Sequence, residues 1–176
     1  MMNKGEYLNW IISVDGKERK MGQATGEFCD KGNLWKYWNT IHSIIKRILT
    51  EENGPNVIQA IHYKDNPEIY ENLGSSSYNR IDRRIELGKE VVPGIPPEKP
   101  ALIMLWALLH EFGHFLDEQP PLKRTIEVIY NREVTAWKNA EEIVSQYDDI
   151  HLELDRFKVR KEECLLEYRK HYGIQD

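Results

Sequence analysis

Apolar residues along this chain change spacing several times, and each change predicts an element. In residues 6–14, Tyr7, Leu8, Trp10, Ile11, Ile12 and Val14 favour a strand, and Asp15-Gly16 is a hairpin-turn dipeptide leading into a polar run. Gly22, Gly26 and Gly32 punctuate a loop. Beyond it Leu34, Trp35, Trp38, Ile41, Ile45, Ile48 and Leu49 recur at helical spacing until Asn53-Gly54-Pro55, which predicts an amphipathic helix with His42 as a half-buried member. Residues 57–63 read as a short strand, and 67–77 as a loop with one helical turn at 68–73. Residues 78–87 read as an edge strand, with Ile81, Arg83, Ile85 and Leu87 on one side and Asp82, Arg84 and Glu86 on the other.

The second half of the chain reads as helical. A proline-rich approach ends at Pro100, a residue suited to the first turn of a helix, and the helix it opens is almost wholly apolar from Ala101 to Leu109 before it ends near Asp117. From Lys123 or Thr125 to about Tyr147 a further helix carries Ile126, Ile129, Tyr130, Val134, Trp137, Ala140 and Val144 on its inner face. Asp148-Asp149 can cap a last, charge-rich and largely exposed helix to about Tyr172. These elements predict an α+β fold, a small antiparallel sheet packed on helices. One domain is expected: an N-terminal hairpin and helix (1–55), a core (56–147) and a C-terminal helix (149–172).

Composition narrows the class. At 176 residues the chain is long enough for one domain with a proper core, and it shows no internal repeat. No apolar run is long enough to span a bilayer and the N-terminus lacks a signal-peptide pattern, so a soluble, cytoplasmic protein without membrane partners is expected. Cys29 and Cys164 stand far apart without CxxC spacing, so neither a zinc ribbon nor a disulfide framework is indicated. A net charge of −5 gives no nucleic-acid footprint, and Arg80, Arg83 and Arg84 read as the solvated side of a strand.

Inside the apolar helix lies His110-Glu111-Phe112-Gly113-His114. Residues four apart on a helix lie one above the other, so the rings of His110 and His114 can converge on one ion, half of a tetrahedral zinc site. Glu111 sits one position round the helix, displaced from that face and placed to act as general base on a polarised water. Histidines on apolar faces are otherwise core residues with satisfied hydrogen bonds, but two histidines and a carboxylate within so apolar a helix are costly to bury without a partner.

A third protein ligand would leave the fourth position open to water. Asp117, Glu127, Glu133, Glu141 and His151 are the candidates. Asp117 lies roughly 10 Å along the helix axis from His110, and Asp117 and Pro120 stand where a metzincin has glycine and histidine. Asp117 is therefore read as a helix-end residue supporting the site. Glu133 is preferred, because Pro120-Pro121 lets the next helix fold back and Ala136 and Ala140 allow close approach. Tyr130, one turn before Glu133, and His151 are the candidates for stabilising an oxyanion.

Together the HEFGH core with its flanks Ala107, Leu108, Phe115 and Leu116, the stretch from Glu133 through Ala136 to Ala140, and the strand Arg84-Ile85-Glu86-Leu87 resemble the gluzincin zinc metallopeptidases, most of all the ImmA/IrrE type. The resemblance covers residues 78 to 145. It implies a zincin-like α+β fold with the motif on a central buried helix, and a peptide-bond hydrolase with zinc held by His110, His114 and Glu133, Glu111 as base, and a protein or peptide substrate. The chain departs from thermolysin-like gluzincins at Trp137, where they carry an acidic residue that holds a histidine ring. Its proline-rich insert is longer than in the ImmA/IrrE type, and its N-terminal region has no counterpart there. An idle zinc-fold docking module and a deformylase-like hydrolase are the rival expectations. Glu111 weighs against the first, and the lack of a suitably placed upstream cysteine weighs against the second.

Overall fold

A computed structural model of the chain describes residues 11–14, 17–19, 35–50, 60–64, 76–81, 84–88, 100–117 and 125–174. The chain divides into two compact units, Met1–Leu108 and Leu109–Asp176.

In the first unit a five-stranded sheet is built from β1 (Ile11–Val14), β2 (Lys17–Arg19), β3 (Ala60–Lys64), β4 (Ser77–Asn79) and β5 (Arg84–Gly88), in the order β2-β1-β3-β5-β4. The expected sheet was antiparallel throughout, whereas this one is mixed. β1, β3 and β5 run parallel, with Ile12 opposite Ile61 and Ile61 opposite Ile85, and only β2 and β4 are antiparallel to their neighbours. Parallel neighbours need long crossovers, and the stretch between β2 and β3, which contains helix α1 (Trp38–Thr50), supplies one.

The edge strand expected over residues 78–87 is two strands. Asn79 ends β4, and its side-chain oxygen accepts the Ile81 N–H at 3.0 Å, an Asx turn that reverses the chain. Ile81, expected on the buried side, is therefore a turn residue and 93% exposed. β5 becomes an inner strand paired on both sides, and the open edge passes to β4. Alternation holds within β5: Ile85 and Leu87 are buried, while Arg84 and Glu86 share the other face and pair at 3.1 Å.

A single 3-10 turn (Trp35–Tyr37) leads into α1, whose buried residues Ile41, Ile44 and Ile45 follow the helical period. His42 is half-buried and stacks on Trp38 with ring centroids 6.1 Å apart. Helix α2 (Pro100–Leu116) starts at its proline as expected and is buried round its circumference, including Leu102, Leu105, Trp106, Leu108 and Leu109. The Asp15-Gly16 turn, the helical turn at 68–73, Cys29 and Pro120-Pro121 lie outside the described residues.

The second unit is helical. α3 (Ile126–Ser145) begins where Thr125 accepts the Val128 N–H on its hydroxyl at 3.2 Å, with Glu127 favourably placed in the first turn. The last helix of the sequence reading is broken in two: α4 (Asp148–His151), which turns Ile150 inward, and α5 (Leu154–Tyr172). α5 ends at Gly173, whose φ of 66° is a left-handed cap, and its N–H reaches the Arg169 and Lys170 carbonyls. α5 packs along α3. Phe157 and Leu165 supply its buried face, and Lys161 and Lys158 pair with Glu141 at 2.7 and 3.7 Å. Among the described residues no helix is long and apolar enough to cross a membrane.

Candidate metal centre

The last two turns of α2 lie antiparallel against the first half of α3, and Gly113 sets their distance. A Cβ at Gly113 would overlap the Ala136 backbone carbonyl, so only glycine admits this approach. Asn139 adds a tie across the seam, donating from Nδ2 to the Gly113 carbonyl at 3.0 Å. One turn on, Arg132 donates from Nε to Oδ2 of the buried Asp117 at 3.4 Å. Residues whose numbers rise on α2 thus meet residues whose numbers fall on α3, and this register brings Glu133 opposite the two histidines.

The ligand atoms form a nearly equilateral triangle. His110 Nε2 lies 3.1 Å from His114 Nε2, and Oε2 of Glu133 lies 3.2 Å from the first and 3.3 Å from the second. Zinc bonds of roughly 2.0–2.1 Å at tetrahedral angles put neighbouring ligand atoms about 3.4 Å apart, so the three atoms already stand at the spacing of one face of such a tetrahedron. Protons satisfy this arrangement poorly. The three atoms lie close around one point, and Glu133 Oε2 is buried with no hydrogen bond that meets ordinary geometry among the described residues. These three side chains form a buried group able to hold a metal ion.

Charges follow from the crowding. Burial pushes the His110 imidazole below its ordinary pKa, the neighbouring His114 adds to this, and Glu133 only partly offsets it. His114 is also penalised by burial, but the contact and charge of the Glu133 carboxylate and the charge of Glu111 outweigh that and raise it. Burial alone would raise the Glu133 carboxyl, yet the two histidines hold it well below the usual carboxylate range.

A pH dependence follows. Protonated His114 stabilises the metal-free fold below the ordinary histidine pKa of about 6.5, and the contribution fades as pH rises through the raised folded value. A metal must displace that proton. Affinity is therefore expected to climb with pH by up to about tenfold per unit while His114 titrates, and to level off above its raised pKa. Competition titrations with a chelator, repeated across pH, check this, and a flat profile from acid to neutral pH would contradict it.

Glu111 is 4% exposed and lies near enough to His114 and to Tyr168 for its charge to shift both. Tyr168, on α5, was not singled out in the sequence. Burial raises its pKa first, then the charges of Glu133 and Glu111 and the nearby Glu133 side chain, which places its hydroxyl close to both carboxylates. Among the described residues no interaction joins the half-buried Tyr130 or the exposed His151 to the triad. Asp117 acts on the site through Arg132, whose charge opposes protonation of His114. Glu127 is exposed in the first turn of α3, and Glu141 is engaged by the α5 lysines.

Gly113→Ala is expected to force the two helices apart, costing about 2–3 kcal/mol in urea unfolding of the metal-free protein and weakening metal binding with it. Unchanged stability and affinity would show that the seam has slack which the backbone overlap denies.

No family model, curated protein or solved structure matches the chain.

Proposed function

We propose that this chain is a zinc-dependent metallopeptidase of the gluzincin type, cleaving a protein or peptide substrate. The observation that carries the reading is the triangle of His110, His114 and Glu133 ligand atoms, 3.1–3.3 Å apart, with the buried Glu111 carboxylate beside it. Two imidazoles and one carboxylate are the donor set of catalytic zinc sites that keep a fourth position open, and four strong ligands would be expected of a closed structural site. When bound, zinc supplies the Lewis acidity that makes water a nucleophile at neutral pH.

This chain's own residues supply the rest. Glu111 accepts a proton from the attacking water as its oxygen bonds to the substrate carbonyl carbon. As the carbon–nitrogen bond breaks, Glu111 returns that proton to the departing amine. Burial keeps competing water from the carboxylate. The Tyr168 hydroxyl, close to Glu133 and Glu111, is a donor for the carbonyl oxygen as negative charge grows there, a role the sequence reading gave to Tyr130 or His151.

An idle docking module would need zinc but no proton carrier, so the buried Glu111 favours turnover. The test is identification of new peptide termini after the purified, zinc-loaded protein is incubated with a proteome-derived peptide library, with the chelator-stripped protein as the blank. Zinc-dependent termini are expected. An identical set of termini in both samples would reject the peptidase reading.

A further inference from the structure

His110 is the more deeply buried of the two histidines, and its second ring nitrogen is in an unusual position. Nδ1 is buried and has no hydrogen-bond partner among the described residues. Histidines that bind metals almost always donate this N–H to a carboxylate, a carbonyl or water, which fixes the ring plane and raises its basicity. An aromatic ring packs against its face instead. Trp137, one helical turn after Glu133, lies against the His110 imidazole with ring centroids 4.4 Å apart and planes tilted by 30°. The indole is buried, its own Nε1 also lacks a partner among the described residues, and Phe157 of α5 backs it at 5.5 Å.

We propose that Trp137, backed by Phe157, is the positioning residue for His110, holding the imidazole plane by tilted ring-on-ring packing. The inference rests on the reading of His110 as a metal ligand. The geometry supports it in three ways. A tilted stack at this separation restrains rotation of the imidazole about its Cβ–Cγ bond, because turning the ring would drive its edge into the indole face. The same α3 turn presents Glu133 and Trp137 four residues apart, so one rigid element fixes a ligand and the plane of another. Phe157 comes from a different helix and prevents the indole from retreating. Packing of this kind fixes the ring plane but leaves the tautomer unset and adds no electron density to the imidazole.

The experiment measures Co2+ and Zn2+ affinity by chelator competition, with the visible spectrum of the Co2+ form, for wild type, Trp137→Phe and Trp137→Leu. The phenylalanine variant keeps an aromatic face on His110 and is expected to stay within about threefold of wild-type affinity with the same Co2+ bands. The leucine variant fills the space without a ring face. It is expected to bind about 10- to 100-fold more weakly with shifted bands, the range seen when a ligand's supporting partner is lost. Leucine matching wild type in affinity and spectrum would overturn the proposal. So would phenylalanine and leucine failing equally, which would mean that the site needs the indole for something other than stacking. A wild-type protein that takes up neither ion would instead overturn the metal reading of the triad, and the proposal with it. A leucine variant unaltered beside a wild type that does bind overturns the proposal alone.

Discussion

A Glu111→Gln protein is expected to hold zinc as the wild type does and to cleave substrate roughly 10²- to 10⁴-fold more slowly, the range supplied by a positioned general base. The substitution is nearly isosteric, which matters for a side chain only 4% exposed in a closely packed helix. It leaves the three ligand atoms of His110, His114 and Glu133 untouched. It also removes a negative charge that raises the His114 pKa, so His114 gives up its proton to a metal no less readily than before. What disappears is the group that can take the proton from water and return it to the amine. Zinc per chain and kcat/KM, measured on the same preparations, separate the two effects. Equal activity in both proteins would reject Glu111 as the base.

Replacing Glu133 by alanine should act on the metal itself. Structural zinc sites are worth about 10–16 kcal/mol across four ligands, which puts one ligand at about 2.5–4 kcal/mol, or roughly a hundred- to a thousandfold in affinity. The variant also leaves two buried imidazoles without the carboxylate that favours their charged forms. Glu127→Ala is the control for charge alone: it lies on the same helix, is exposed in the first turn, and should leave affinity unchanged. Asp117→Ala removes the anchor of Arg132 and not a ligand, so a measurable site should remain. If Asp117→Ala abolished zinc binding while Glu133→Ala did not, the site would not be of the gluzincin kind.

Local spacing made the motif helix legible. Four-residue spacing stacks His110 over His114 on any helix, an unbroken apolar run predicts a buried helix, and Pro100 and Thr125 mark helix starts by backbone chemistry that acts within one turn. Even Glu133 could be preferred over its neighbours, because Ala136 and Ala140 signal close approach on the same face. Other features were decided by residues distant in sequence. The alternation that marks β5 does not specify which strands flank it, so the parallel centre of the sheet depends on pairing across long connections. Gly113 was visible as a letter of the motif, but the need for glycine there is set by the Ala136 carbonyl of another helix. Trp137 could be seen as a departure from the resembling enzymes, and only packing shows its ring lying on His110. Tyr168 carried no local signal of a place in the site, being one of three aromatics in a charge-rich helix. Its hydroxyl reaches Glu133 because α5 docks along α3, a contact made by tertiary burial and encoded in no local period.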